Sequence, residues 1–290
     1  MTVYVKLILT AFFWGGTFVA ARVIAQDVGP FNAAFFRFVI ASFFLIGLTK
    51  QFEGSIPPLR KHQIIPAVLL GLTGVFGYNF FFFCGLKTVA ASRGSLIVAT
   101  NPVLIAILAA FFFKEKLNFL RCVGILLCIC GAVVVISRGD IPAIFDGTIG
   151  AGELYIFGCV ASWVAYSLVG KVIMKDMAPM AAVMYSCILG TLFLSVPAWA
   201  EGMVQNIMNC TVADWIGVFY LGFFGSALGF SWYYQGINAI GASRASIFIN
   251  FVPISAVILA FLVLRERIDL SLIVGAAMVV SGAYLTNKKA

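Results

Sequence analysis

Long apolar runs separated by short polar linkers organise this 290-residue chain from end to end. Each run is about twenty residues long, enough for a helix to cross the ~30 Å hydrocarbon core of a bilayer. The linkers are rich in Gly, Pro and charged residues. The pattern predicts ten membrane-spanning helices, with bounds near 3–25, 31–49, 64–86, 94–113, 118–137, 151–171, 180–200, 213–235, 245–264 and 269–286.

The composition agrees with a protein embedded in lipid. Hydrophobic residues make up 62% of the chain and charged residues 10%, against about 25% charged residues in an ordinary soluble domain. We therefore expect an integral membrane protein whose main surroundings are the lipid bilayer. The first run contains FVAAR (18–22), which is similar to a signal-peptide cleavage site, but a counterpart in mid-chain favours a retained first helix.

The basic residues predict how the helices are oriented. The net charge is +8, and most Lys and Arg residues lie in short linkers, where they indicate topology rather than nucleic-acid binding. Twelve of them fall on one predicted side and six on the other, while Arg37 lies inside a span. The positive-inside rule then places both termini in the cytoplasm, with the protein in the cell (inner) membrane.

One stretch of twelve residues occurs twice in the chain in similar form. It reads ASRGSLIVATNP from Ala91 to Pro102 and ASRASIFINFVP from Ala242 to Pro253. Its small residues allow another helix to approach closely. Each proline removes a backbone hydrogen bond near mid-span and allows a bend, so we expect Pro102 and Pro253 to have a structural or gating role.

The repeat extends over nearly the whole chain. Aligning 85–132 with 236–283 without gaps gives 14 identities in 48 positions. The chain therefore divides into two five-helix halves, 1–140 and 148–290. Because five is odd, the second half enters the membrane from the opposite face. The predicted fold is an all-α membrane protein of ten transmembrane helices arranged as two inverted five-helix repeats.

These motifs resemble the EamA-type branch of the drug/metabolite transporter superfamily. The resemblance rests on four motifs and on the segments of the second half that align with them. The motifs are WGGTF (14–18), RFVIA (37–41), LKTVAASRGSLIVATNPVLIAILAAFFFKEKL (86–117) and GILLCICGAVVV (124–135). It implies a ten-helix carrier with a central cavity lined mainly by the first four helices of each repeat, and more peripheral fifth and tenth helices. The family's Leu-Gly-Glu-like turn is replaced here by KEK and RER, without the glycine.

Glu115 and Glu266 lie in these two turns, each between two basic residues. We interpret both as structural or gating residues with local ion pairs rather than as catalytic groups.

Polar and aromatic side chains at membrane depth are the candidates for a binding site, because they are costly to place in lipid. Each one alone can be explained by helix packing, but together they predict a central cavity. The predicted substrate-binding residues are Trp14, Thr17, Arg37, Tyr78, Asn79, Asn101, Trp163, Tyr166, Trp232, Tyr234 and Asn250.

Arg37 is the most informative of these candidates because its charge lies within a predicted span. In one interpretation, its guanidinium binds a substrate carboxylate or phosphate through forked hydrogen bonds. In the other, it reaches outward to the membrane surface or pairs with Glu153 at the start of the sixth helix. Its counterpart in the second half is Ser186, so the fold shared by the halves does not require the charge.

The acidic residues narrow the class of function. All eleven lie in linkers or near predicted span ends, whereas a proton-coupled cation exchanger would usually have one at mid-membrane. This disfavours the alternative of a multidrug or organic-cation exporter. A membrane-embedded enzyme would need a buried nucleophile–base pair or metal ligands, and His62 and the seven cysteines do not show that spacing.

The duplicated halves favour a carrier over a channel. The leading hypothesis is an alternating-access transporter that exports amino acids or related zwitterionic or anionic solutes. We expect a small-molecule substrate, no cofactor and no metal. The oligomeric state is open, and a monomer is compatible with the sequence.

Overall fold

A computed structural model describes residues 2–113, 118–140, 150–240, 245 and 247–287, and all regular secondary structure in these ranges is helical. Helices suit a lipid environment because they satisfy their backbone hydrogen bonds internally. In chain order they are α1 (Val3–Asp27), α2 (Pro30–Glu53), α3 (Lys61–Leu70), α4 (Tyr78–Leu86), α5 (Ala91–Val98), α6 (Asn101–Phe113), α7 (Phe119–Ile136), α8 (Ala151–Ile173), α9 (Pro179–Ala200), α10 (Met203–Asn209), α11 (Val212–Phe219), α12 (Gly229–Ile240), α13 (Phe251–Leu264) and α14 (Leu270–Asn287).

Eight helical stretches in the described ranges are long and apolar enough to cross a membrane. Two shorter apolar helices, Phe248–Leu264 and Leu270–Thr286, follow them along the chain. The prediction of an all-α membrane protein is therefore confirmed, and the count of ten spans stays a prediction.

Two of the long stretches contain a π-helical segment at mid-length. Gly71–Gly77 joins α3 to α4, and Tyr220–Leu228 joins α11 to α12. The wider turn leaves backbone carbonyls available to side chains, and such segments often occur at functional sites. The two segments occupy matching places in the aligned halves, which brings one irregular helix from each half to the centre of the bundle.

The fourth stretch is interrupted rather than continuous. α5 ends at Val98 and α6 begins at Asn101, directly before Pro102. The second proline, Pro253, is the third residue of α13 and follows the short 3₁₀ turn Phe248–Asn250. Both prolines therefore lie where the helix geometry changes, as expected from the missing backbone donor.

Carboxylates of the second half cap helices of the first half at one end of the bundle. Glu266 accepts hydrogen bonds from the backbone N–H groups of Ala91 and Ser92, 2.8 and 3.1 Å, and from the Ser92 hydroxyl. Glu201 accepts in the same way from Asn32 at the start of α2, at 2.8 Å. The first-turn N–H groups have no partner within their own helix, so these carboxylates stabilise both helix starts.

Glu266 is therefore a helix cap that links the two halves, and the local ion pairs expected at this turn stay a prediction. An ion pair at this end joins Arg93 to Asp269. Glu115 lies outside the described residues. At the opposite end of the bundle, Lys6 donates to Gln235 and Gln63 donates to the carbonyl of Asp176.

Helices in equivalent places of the two halves pack against each other. α7 and α14 are antiparallel and touch through glycines: a Cβ at Gly124 would lie 2.7 Å from the carbonyl oxygen of Gly282, and one at Gly275 would lie 3.0 Å from that of Gly131. The small residues allow this close approach. α2 and α9, which also hold equivalent places, pack against each other beside the π-helical segments.

Candidate functional site

Arg37 on α2 is buried at the centre of the bundle, with 7% of its surface exposed. Its Nε donates to Ser226 Oγ at 3.2 Å, and its Nη1 donates to Asn79 Oδ1 at 2.9 Å. Glu153 instead accepts from the backbone N–H of Gly150 at 3.1 Å. The alternative in which Arg37 reaches the membrane surface or pairs with Glu153 is therefore wrong.

Both acceptors of Arg37 are themselves held by carbonyls of a π-helical segment. The Asn79 amide donates to Val75 O at 2.8 Å, and the Ser226 hydroxyl donates to Leu221 O at 3.0 Å. These bonds use carbonyls that the wide turns leave available, and they fix the oxygens that face the guanidinium. Arg37 thus bridges the irregular helix of the first half and that of the second.

A small cavity of about 30 Å³ adjoins Arg37, with room for about two water molecules. Five of the predicted binding residues line it: Arg37, Tyr78, Asn79, Trp163 and Tyr166. Ser186, the repeat counterpart of Arg37, lines the same cavity. Equivalent positions of the two halves therefore meet at this point.

Trp163 forms the centre of the aromatic wall of this cavity. Its ring centre lies 5.3 Å from that of Tyr78, 5.2 Å from that of Tyr166 and 6.5 Å from that of Phe230. Such spacings are those of packed aromatic pairs. The wall is continuous with Trp14, whose ring centre is 5.6 Å from that of Phe230.

The remaining predicted residues surround the cavity without lining it. Trp14 donates its indole N–H to Gly225 O at 2.9 Å, and Thr17 packs its methyl group on the same glycine. Tyr234 packs against the main hydrophobic core. Trp232 stacks near Phe13, with ring centres 5.8 Å apart.

Asn101 and Asn250 are also outside the cavity lining. Asn101 Oδ1 and Asn250 Nδ2 are buried atoms that find no hydrogen-bond partner among the described residues. These two amides lie at the helix interruptions that precede Pro102 and Pro253.

The sequence analysis missed the partner residues supplied by the second half. Ser226, which accepts from Arg37, and Cys187 and Phe230, which line the cavity, were not among the candidates. The small-residue run GSALG around Ser226 carried a weak signal, because small polar residues in a span permit close helix approach.

A second cavity, of about 300 Å³, lies between α6 and α8. Its lining is wholly apolar and includes Leu104, Leu108, Val164 and Leu168. The equivalent pair of helices, α13 of the second half and α1 of the first, packs tightly instead. The two matching interfaces therefore differ: the α1–α13 interface is closed, whereas the α6–α8 interface is separated by the cavity over part of its length.

The closed interface depends on small residues. Ser255 Oγ donates to Ala11 O at 3.0 Å, and a Cβ at Gly15 would lie 2.7 Å from the backbone nitrogen of Ala256. The equivalent positions at the separated interface carry Val164 in place of Gly15 and Leu104 in place of Ser255. The geometry is that of a multi-pass helical membrane protein with a buried polar centre and one open flank.

The EamA-like transporter family model matches residues 1–137 and again residues 150–288. The chain belongs to the EamA-like transporter family. Membership implies a lipid environment and a small-molecule substrate.

Related proteins agree with this assignment. The uncharacterized transporter YyaM of Bacillus subtilis (strain 168) is 31% identical over 287 residues, which cover 99% of this chain and 94% of that protein. A protein of Streptantibioticus cattleyicolor named "Probable terminal-alkyne amino-acid exporter" is 28% identical, with 98% of this chain and 92% of that protein covered. A crystal structure with 20% identity superposes with a TM-score of 0.68 over 98% of this chain and 96% of that chain, which supports the fold.

Proposed function

We propose that this protein is a secondary carrier that exports amino acids or related zwitterionic or anionic solutes across the cell membrane. Two inverted five-helix repeats, residues 1–140 and 148–290, would alternate access to the buried site at Arg37. Ten spans would then place both termini in the cytoplasm. The relative named as an amino-acid exporter supports the choice of substrate class.

The observation that carries the proposal is the difference between the two matching flanks. α1 packs tightly on α13, whereas a cavity of about 300 Å³ separates α6 from α8 over part of their length. In an inverted repeat, an exchange of these two arrangements converts a protein open on one side into one open on the other. The carboxylate caps of Glu201 and Glu266 hold the closed end together in this conformation.

Contacts between the halves support the inverted arrangement. Gly124 faces Gly282, and Gly131 faces Gly275. The repeat aligns Gly124 with Gly275 and Gly131 with Gly282, so the two contacts are equivalent. Reciprocal contacts of this kind are characteristic of a two-fold relationship. Because α7 and α14 are antiparallel, the axis of that relationship would lie in the membrane plane.

Counterflow in proteoliposomes tests the proposal. Liposomes preloaded with pooled amino acids, organic acids, nucleobases, sugars and organic cations should accumulate at least one labelled solute of the pool, with saturable and trans-stimulated kinetics. Protein-free liposomes and liposomes with heat-denatured protein are the controls. Non-saturable flux without trans-stimulation would contradict a carrier and favour a channel, and the absence of flux for every solute would contradict the proposal.

A further inference from the structure

The charge of Arg37 has no counter-ion in the described part of the chain. Its hydrogen-bond acceptors are a neutral amide and a neutral hydroxyl, and its aromatic neighbour is Phe38, 5.1 Å from the guanidinium carbon. The ion pair between Arg93 and Asp269 lies elsewhere, at the end of the bundle where Glu266 caps α5. A guanidinium remains charged in proteins, and a buried charge without a partner is costly.

Some N–H groups of the Arg37 guanidinium are not used in these hydrogen bonds. Nε and Nη1 contact Ser226 and Asn79, whereas Nη2 has no hydrogen-bond partner among the described residues and Arg37 lines the central cavity. A planar guanidinium matches a carboxylate through two parallel hydrogen bonds. A carboxylate arriving in the cavity would therefore provide both the missing charge and the missing acceptors.

The rest of the lining is aromatic, aliphatic or weakly polar. Trp163, Tyr78, Tyr166 and Phe230 form the wall, and no Asp or Glu is among the lining residues. An α-ammonium group would find no carboxylate here and would lie near the positive charge of Arg37, which repels it. An apolar or aromatic body, in contrast, would pack on the wall.

We propose that this site recognises a monocarboxylate with an apolar or aromatic body, through a forked hydrogen bond from Arg37, and that it does not require an α-ammonium group. The inference rests on the proposed carrier function and narrows its substrate class. The cavity of about 30 Å³ is closed around Arg37 in this conformation. Binding therefore accompanies the widening of the space between α2 and the two π-helical segments.

Two matched substrate sets test the inference. One set is phenylalanine, phenyllactate and phenethylamine; the other is leucine, its 2-hydroxy acid and isopentylamine. Within each set the body is constant: the hydroxy acid carries a hydroxyl group in place of the amino group, and the amine lacks the carboxylate. In counterflow with the full-length protein, the hydroxy acid of at least one set should exchange as fast as the amino acid or faster, and the amine at less than a tenth of that rate.

Arg37→Gln should abolish exchange of the hydroxy acid, and Arg37→Lys should retain a small part of it, because an ammonium keeps the charge but not the fork. The matched control is Arg267→Gln in an exposed linker, which should exchange like the wild type. Size-exclusion chromatography and the unfolding temperature check that each variant is folded.

A binding measurement that needs no transport tests the carboxylate site at Arg37 separately from the carrier function. The hydroxy acid at saturating concentration should raise the unfolding temperature of the detergent-solubilised protein by about 2 °C or more, and Arg37→Gln should remove that shift. An amine that exchanges as fast as its amino acid, or a shift that survives in folded Arg37→Gln, would overturn the inference. If other pooled solutes exchange but neither of the two hydroxy acids does, the inference is overturned too, although the carrier function stands.

Discussion

Ser42 Oγ and Thr191 Oγ1 lie within hydrogen-bond distance, 3.4 Å apart, although 149 positions separate them in the chain. The same offset aligns Trp14 with Trp163. Residues of equivalent position in the two halves therefore meet directly, as residues beside a two-fold axis do. Arg37 and Ser186 are another equivalent pair, and they line one cavity. A substrate bound there would contact both halves at once, which couples its binding to their relative movement.

Gly15→Val should prevent closure of the α1–α13 interface. It copies Val164, the residue at the equivalent position of the separated interface, and its Cβ would lie 2.7 Å from the Ala256 backbone nitrogen. We expect at least a tenfold loss of counterflow, because a carrier that cannot close one side cannot complete its cycle.

The matched control is Gly47→Val, because a Cβ at Gly47 has no neighbour within 4 Å. This variant should transport like the wild type. A folded Gly15→Val protein with wild-type counterflow would show that the α1–α13 contact does not gate transport.

Gly282→Ala should destabilise the protein through the α7–α14 contact. The added methyl group would lie 2.5 Å from Cys128 N and 2.6 Å from Gly124 O, both backbone atoms that move only with their helix. Overpacking of this kind costs about 1–3 kcal/mol. The unfolding temperature in detergent should fall by several degrees, whereas Gly47→Ala should leave it unchanged or raise it slightly, because Ala is the better helix former. Equal unfolding temperatures for both variants would refute the close packing of these helices.

Much of the architecture could be predicted from the sequence because the bilayer restricts the choices. Apolar runs of sufficient length can only be helices, and the repeated stretch at Ala91 and Ala242 indicated the two halves. The binding candidates were less secure, since polarity shows that a residue needs a partner but not which one. Arg37 was found, yet its acceptor Ser226 is 189 positions away, and only the packing of α2 on the second π-helical segment brings them together.

Glu266→Gln should weaken the cap on α5. The carboxylate accepts two backbone N–H groups and the Ser92 hydroxyl, and its charge complements the positive end of the helix dipole. We expect a loss of about 1 kcal/mol in the free energy of unfolding. In a double-mutant cycle, Ser92→Ala should add less to Glu266→Gln than to the wild type, because both changes remove the same bond.

Glu53→Gln at the exposed end of α2 serves as the charge control and should have almost no effect on stability. Fully additive effects of Ser92→Ala and Glu266→Gln would mean that the two side chains do not interact in the folded protein.

A matched pair of engineered cysteines tests the proposed topology. Gln51 and Gln205 are both exposed and lie at opposite ends of the bundle. Gln51 is at the end that holds Gln63 and Asp176, whereas Gln205 lies in α10, near Glu201 at the other end. Under the proposed orientation, a membrane-impermeant thiol reagent added to intact cells should label Gln205→Cys but not Gln51→Cys. Disrupted membranes should allow labelling of both variants. The protein without an engineered cysteine corrects for labelling of native thiols such as Cys122 and Cys130, which are also exposed.

The reverse labelling pattern in intact cells would show that the topology is inverted. Labelling of both variants in intact cells would contradict the placement of these two segments on opposite sides of the membrane.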